Sequence, residues 1–85
     1  MYLHLGKGTV VPEETVVGIF DLDITSQSHL TRRFLAAAEK AGEVINAAED
    51  IPKSFLVCAE DGKHTVYLSQ MSCATLLKRA ESGIL

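Results

Sequence analysis

Apolar and polar residues alternate at the start of the chain, where Leu3 and Leu5 can both face a core. Residues 6–8, Gly-Lys-Gly, follow as a flexible turn and lead into the apolar residues 9–11. Short alternation is typical of a strand with one buried face, and a glycine turn between two such runs is typical of a hairpin. The pattern therefore predicts a short hairpin at the start of the chain.

A second stretch of strand is predicted to begin at Thr15 and to run to Leu22. Pro12 cannot donate a hydrogen bond to a neighbouring strand, and two glutamates follow it, so the chain should break before the strand resumes. β-Branched and aromatic residues dominate the stretch, as is typical of a mostly buried strand. Gly18 within it indicates a bulge or a closely packed neighbour.

The most regular pattern in the chain predicts a helix that begins at Ser26 or Ser28 and stops at Gly42. Either serine can cap free backbone N–H groups, and glycine is common just past the end of a helix. Apolar residues at helical spacing form one stripe, which we expect to face the core. The residues of this stripe are Leu30, Phe34, Ala37, Ala38 and Ala41.

The strongest hairpin signal lies in the second half of the chain. Two apolar-rich runs, residues 54–60 and 63–69, flank an Asp-Gly pair at residues 61–62. Asp-Gly is preferred in a two-residue type I′ turn because both positions need a positive φ. Before this hairpin, residues 43–47 predict a short strand and residues 49–53 predict a loop that contains a proline.

A second amphipathic helix is predicted after the hairpin, starting near Ser69 or Ser72 and ending at Gly83. Its apolar stripe consists of Cys73, Leu76, Leu77 and Ala80. These elements together indicate an α+β fold, a small antiparallel sheet of hairpins with two amphipathic helices. No break in composition divides the sequence, so we expect one domain over residues 1–85.

Charge limits the partners of the chain. Eight basic residues against eleven acidic ones give a formal net charge of −3, so no global positive field would gather polyanions. A nucleic-acid contact must therefore come from a local patch. A chain of 85 residues has a thin core and often gains stability from association, so we expect a homo-oligomer.

The apolar runs of the chain are strand-sized and do not approach the ~20 residues of a membrane-spanning helix. The first residues lack the basic start and long apolar stretch of a secretory signal. We therefore predict a cytosolic protein with no membrane contact.

Catalytic and metal-binding residue types do not group in the sequence. His4, His29 and His64 lie in three separate predicted elements without the spacing of metal ligands, so no metal or other cofactor is predicted. Cys58 and Cys73 occupy apolar positions and are predicted to be reduced core thiols. No nucleophile accompanies a base or an oxyanion loop, so we predict neither an enzyme nor a small-molecule substrate.

Several segments, in order along the chain, resemble those of a known family. They are residues 2–6 (YLHLG), 16–21 (VVGIFD), 52–57 (PKSFLV), 66–69 (VYLS) and 75–79 (TLLKR). Together they resemble the bacterial extracellular matrix regulatory family, and more specifically its RemB branch, from Met1 to about Arg79. The RemA branch of this family comprises regulators of biofilm-matrix genes that bind DNA, assemble into rings and share a LytTR-like fold. The resemblance therefore implies a small cytosolic regulator with these properties.

The resemblance also implies where DNA would be bound. In the RemA pattern, basic residues important for DNA lie in the loop before the main hairpin and at the start of the second strand segment. The matching positions here are Ile51, Pro52 and Thr15, which cannot neutralise a phosphate, and Lys53 alone is basic in that loop. The candidate nucleic-acid-binding residues of this chain are Arg32, Arg33, Lys40, Lys53 and Lys7.

Two functions follow from these observations. The first is a DNA-binding regulator in which a homo-oligomer repeats a weak basic patch along one duplex. The alternative is a protein-interaction module of the same family, which assembles through strand edges or an apolar helix face and does not touch DNA.

Overall fold

A computed structural model describes residues 2–22 and 29–82 of the chain. A 3-10 turn, Glu13–Thr15, separates the second strand from the third. The strands and helices of the described residues are β1 (Tyr2–Gly6), β2 (Thr9–Pro12), β3 (Val16–Asp21), α1 (His29–Lys40), β4 (Val44–Asn46), β5 (Ser54–Glu60), β6 (Lys63–Ser69) and α2 (Cys73–Ser82). This content confirms the predicted α+β fold.

Four strands form one sheet in the order β3-β5-β6-β4, so that β3 and β4 are its edges, while β1 and β2 form a separate antiparallel hairpin. Within the sheet, β3 pairs antiparallel with β5, and β5 pairs antiparallel with β6. β4 pairs parallel with β6. β4 therefore also runs parallel to β3, and α1 is the crossover between these two strands that parallel connections require.

The sheet lies between two layers. α1 covers one face, and the β1–β2 hairpin with α2 covers the other. Side chains alternate along β5, as the pleat of a strand requires. Phe55 packs with Ala38 of α1, whereas Leu56 belongs to the core that contains Leu3 of β1 and Leu76 of α2.

Two buried serines join the hairpin layer to one end of the sheet. Ser54 and Ser69 face each other across β5 and β6, and neither is exposed. The Ser69 hydroxyl donates to the Leu5 carbonyl at 2.7 Å and accepts from the Met71 N–H at 3.1 Å. The Ser54 hydroxyl donates to the Met71 carbonyl at 2.7 Å. Because buried polar groups are costly unless paired, these bonds fix the end of β1 and the start of the α2 connection against the sheet.

Both predicted hairpins are confirmed, with the backbone conformations that their turns require. Asp61 has φ +51° and Gly62 has φ +79°, as a type I′ turn demands. All three residues 6–8 of the β1–β2 turn also have positive φ. Local turn chemistry thus accounts for both connections.

The predicted break and bulge around β3 are also present. β3 starts at Val16, one residue later than predicted, because Thr15 ends the 3-10 turn and its hydroxyl donates to the Pro12 carbonyl at 2.7 Å. The register with β5 shifts between Val16 and Gly18. A Cβ on Gly18 would lie 2.8 Å from the Phe20 ring, so Gly18 has the closely packed neighbour that the sequence indicated.

The first predicted helix is present as α1, but the expectation that its apolar stripe faces the core is wrong. Ala38 is buried, whereas Leu30 is 74% exposed and Phe34 is 44% exposed. Leu35, outside the predicted stripe, packs against the sheet instead. The predicted stop at Gly42 is confirmed by its φ of +74°.

The orientation of α1 differs from the prediction because apolar residues occupy more than one side of this helix. The sheet covers the side of Leu35 and Ala38, which leaves the side of Leu30 and Phe34 uncovered. The predicted caps Ser26 and Ser28 lie outside the described residues.

The second predicted helix is present as α2. The Thr75 N–H donates to the Ser72 hydroxyl at 3.1 Å. Of the two predicted starting residues, Ser69 and Ser72, it is therefore Ser72 that caps the helix. Leu76 is fully buried, but Leu77 of the predicted stripe is 44% exposed. The predicted stop at Gly83 lies outside the described residues.

Candidate assembly and nucleic-acid surfaces

An open apolar groove lies between α1 and the β3 edge of the sheet. Its volume is about 340 Å³. We call it the apolar groove, and it is lined by Val17, Phe20, Leu30, Thr31, Phe34, Phe55 and Val57. Four of these side chains are substantially exposed: Val17, Phe20, Leu30 and Phe34. A contiguous exposed apolar surface on a small protein marks an interaction site.

Local features of β3 shape the floor of the apolar groove. The bulge leaves Val17 without a partner in the β5 register, and its side chain is 68% exposed. The missing side chain of Gly18 lets the Phe20 ring lie close to the backbone. That ring stacks on Phe55 with centroids 5.0 Å apart and an interplanar angle of 20°. The floor is therefore an aromatic pair, a geometry that adds to simple area burial.

The basic residues of α1 lie on its solvent side, and one of them neighbours the apolar groove. Arg33 is three residues after Leu30 and is therefore its neighbour on the helix surface. Lys40 continues the same edge two turns later, and Arg32 lies farther from the sheet. All three of these predicted candidates are exposed. The groove thus has an apolar lining, with Arg33 as the nearest basic neighbour of Leu30 on α1.

The other two predicted candidates, Lys7 and Lys53, lie together at one end of the sheet. The Lys53 N–H donates to the Ser69 carbonyl at 2.8 Å, and the Lys53 carbonyl accepts from the Leu22 N–H at 2.9 Å. Lys7 lies in the β1–β2 turn, two residues after Leu5, whose carbonyl accepts from the Ser69 hydroxyl. Both lysines are exposed. The fold therefore places Lys7 and Lys53 around one end of the sheet, although they are far apart in sequence.

The five predicted candidates do not all belong to this end. The Glu43 N–H donates to the Ala38 carbonyl, and the Val66 N–H donates to the Glu43 carbonyl, so the end of α1 lies beside the middle of β6. Lys40, the last residue of α1, therefore lies away from the sheet end that Lys53 borders. The candidates divide into a sheet-end pair and a helix group.

The positions that match the basic residues of the RemA pattern are also separated in this chain. Thr15 precedes β3, whereas Ile51 and Pro52 precede Lys53, which is bonded to Leu22 just after β3. A strand of six residues spans ~20 Å. A single chain therefore does not bring Thr15 together with the other two positions.

A smaller recess lies on the opposite face of the sheet, next to Cys58 and Tyr67. Burial raises the pKa of the Cys58 thiol, which a hydrogen bond with Thr15 partly opposes. Burial also raises the pKa of Tyr67, and the negative charges of Cys58 and Glu60 raise it further. A buried thiol that resists ionisation is a poor nucleophile, so this recess has no activated cysteine.

These raised pKa values predict that the folded state loses stability at alkaline pH. The unfolded chain releases its thiol proton from about pH 8.5, before the folded chain does. The stability that the neutral buried thiol contributes is therefore fully present below that pH. It is lost as pH rises through the higher pKa of the folded state. Urea denaturation in steps from about pH 7.5 to about pH 10.5 measures this loss. Cys58→Ala should make the pH dependence shallower, and a wild-type stability that stays constant over this range would contradict the prediction.

Both cysteines of the chain are free thiols. Within residues 2–22 and 29–82, His, Cys, Asp and Glu side chains form no group of three or more that could hold a metal ion. The described helices include none that is long and apolar enough to cross a membrane.

A protein-family model matches the part of the chain that forms these surfaces. The RemA-like family model, described as extracellular matrix regulatory protein A-like, matches residues 2–80. The chain belongs to the RemA-like family. Membership of the RemA-like family implies an extracellular matrix regulatory protein, and the matched range contains the apolar groove and both sheet-end lysines. No curated protein matches the chain.

Sequence reasoning missed the apolar groove. The sequence nevertheless contained an indication of it, because Leu35 is an apolar residue outside the predicted stripe of the first helix. A helix with apolar residues on two sides can cover the sheet with one and offer the other to a partner.

Proposed function

We propose that this RemA-like protein is a cytosolic, non-enzymatic regulator that acts as a homo-oligomer and binds DNA through basic side chains repeated around the assembly. The apolar groove, with its four exposed large apolar side chains, is the observation that carries this proposal. A regulator that assembles presents each surface several times, and the comparison with the RemA-like family supports a regulatory role.

Self-association follows from the energetics of the apolar groove. Removing a Val, Leu or Phe side chain from water contributes about 1.5–3 kcal/mol. The four groove side chains are 38–74% exposed, so covering them contributes about half of the full-burial total, roughly 3–7 kcal/mol, which is comparable with the lower part of the roughly 4–15 kcal/mol that association costs. A second copy that covers the groove therefore also stabilises a chain whose own core is thin.

DNA binding follows from repetition of a weak local site. Each copy carries Lys7 and Lys53 at one end of its sheet, while the net charge of −3 opposes a general attraction to phosphates. Phosphate contacts add along a duplex when several copies engage it together. Arg32, Arg33 and Lys40 lie elsewhere on α1, so we propose that they contribute less to DNA affinity than the sheet-end pair.

A double charge reversal tests the sheet-end pair. Lys7→Glu with Lys53→Glu should weaken binding to a generic duplex at low salt by about 100-fold or more, and it should lower the salt-dependence slope by about 2 per copy engaged. The reason is that each copy loses two phosphate contacts and gains two repulsive charges. Fluorescence anisotropy with a labelled duplex, over a salt series, measures both quantities.

The matched control reverses two other exposed lysines, Lys63 and Lys78, and changes the net charge by the same amount. This variant should retain most of the wild-type affinity. Equal weakening by both double variants would show that only overall charge matters and would contradict a local site at Lys7 and Lys53.

A protein-interaction module without DNA binding is the second candidate, because the same apolar groove and the negative net charge favour it. Light scattering coupled to size exclusion, with and without duplex at low and physiological salt, separates the two. An oligomer that co-elutes with DNA supports the regulator, and an oligomer that ignores DNA even at low salt supports the interaction module.

A further inference from the structure

A second exposed apolar feature lies away from the apolar groove, in the loop between β4 and β5. Ile51 is 78% exposed, and its two predecessors, Glu49 and Asp50, are both exposed acids. We call these three residues the acidic loop. It shares no residue with the apolar groove.

Hydrogen bonds hold the backbone of the acidic loop in place. The Glu49 N–H donates to the Gln70 side-chain oxygen at 2.8 Å, and the Ile51 N–H donates to an Asp50 carboxylate oxygen at 2.8 Å. Two residues later, the Lys53 N–H donates to the Ser69 carbonyl. A loop fixed at these points pays little additional ordering entropy when its exposed isoleucine enters a partner.

The acidic loop and the apolar groove are complementary in polarity and in charge. The groove is concave and apolar. Arg33, three residues after the groove residue Leu30, is its neighbour on the surface of α1. The loop presents an exposed apolar side chain next to two negative charges. Opposite charges around an apolar contact favour this pairing and fix its orientation.

We propose that the acidic loop of one copy docks into the apolar groove of a second copy, with Ile51 against the Phe20 and Phe34 rings and with Asp50 facing Arg33. This proposal rests on the proposed self-association and names the surface that fills the groove. The contact is head-to-tail, so an open set of copies keeps one free groove at one end and one free loop at the other until it closes.

A symmetric contact between two grooves is disfavoured by charge. It would bring two copies of α1 together, and this helix carries three basic side chains, Arg32, Arg33 and Lys40. Like charges across an interface cost free energy, and Glu39 alone on α1 opposes them. Such a contact would also leave Ile51 exposed, whereas the head-to-tail contact covers both apolar features.

Two variants placed on opposite sides of the contact test the proposal. Leu30→Glu disables the groove, and Ile51→Glu disables the loop; both residues are largely exposed, so both variants should fold. Leu77→Glu changes an exposed leucine of α2 outside both surfaces and is the matched control. Circular dichroism checks the fold, and sedimentation velocity measures the mass of each protein at the same concentration.

We expect the wild type and the Leu77→Glu control to have the same oligomeric mass, and each interface variant to associate at least ~100-fold more weakly. An equimolar mixture of the Leu30→Glu and Ile51→Glu variants should form a 1:1 dimer, because it retains one intact groove and one intact loop. Asp50→Arg should weaken assembly through charge repulsion and through loss of the hydrogen bond to the Ile51 N–H, and Arg33→Glu in the same chain should recover the part that is due to charge.

The outcomes separate this inference from the proposed function. A wild type that stays monomeric would overturn both the proposed homo-oligomer and the docking contact. A wild type that assembles while Ile51→Glu keeps the same mass would overturn only the docking of the acidic loop and would favour a symmetric contact. Two monomeric variants whose mixture also stays monomeric would contradict the head-to-tail arrangement.

Discussion

Replacing Leu56 by alanine is expected to lower the free energy of unfolding by about 3–4 kcal/mol, the largest loss that we predict for a single side chain. Leu56 is fully buried on β5, an inner strand, where it is in register with Ile19 on one side and Tyr67 on the other. Truncation removes apolar contact and leaves a cavity that the neighbouring strands cannot close. Because small domains have only about 5–15 kcal/mol of stability, much of the total would be lost.

Urea and thermal denaturation followed by circular dichroism measure this change. The two proteins must be compared at equal concentration, since self-association adds to apparent stability. Leu77→Ala on α2 is the control, because Leu77 is 44% exposed and its truncation should cost less than about 1 kcal/mol. Equal losses for the two leucines would contradict the position of Leu56 in the core.

Gly6→Ala is expected to lower the free energy of unfolding by about 2–3 kcal/mol, the next largest effect on stability. Gly6 has φ +116°, a conformation that residues with a side chain rarely adopt, and a Cβ there would lie 3.0 Å from the Ala47 carbonyl oxygen. That oxygen belongs to the backbone, so relief requires the hairpin to move away from the end of β4. Such a movement displaces Lys7 relative to Lys53, so under the proposed function DNA affinity should fall together with stability.

Gly8→Ala separates backbone strain from steric contact. Gly8 also has a positive φ, of +73°, but an added Cβ would meet no atom within 4 Å. Its loss should therefore be limited to the ~1 kcal/mol of a left-handed backbone. Chemical denaturation of both variants tests the comparison, and a Gly6→Ala protein no less stable than Gly8→Ala would show that the contact with Ala47 is unimportant.

Elements that depend on neighbouring residues could be predicted from the sequence. The hairpin around Asp61 and Gly62 follows from the positive φ that this pair tolerates, and the start of α2 follows from the ability of Ser72 to accept a backbone hydrogen bond. In each case the physical cause acts over two to four residues. The same holds for the bulge in β3, where Gly18 was the signal.

The orientation of α1 could not be predicted in this way. Periodicity identifies apolar sides of a helix, but the choice between Leu35 and Phe34 as the covered residue depends on how α1 crosses the sheet. That crossing is set by the parallel connection from β3 to β4, which involves strands at opposite edges. The apolar groove is a consequence of this arrangement, so it became visible only in the folded chain.

The sequence alone determined the strands, the turns, the helices, the exposed basic residues and the resemblance to a regulatory family. Tertiary structure alone decided which of those residues lie together. It brings Lys7 and Lys53 to one end of the sheet through bonds such as that between Ser69 and Leu5, which are 64 residues apart. Turns and caps are local, whereas shared surfaces arise from burial and hydrogen bonding between distant segments, which no short stretch of sequence specifies.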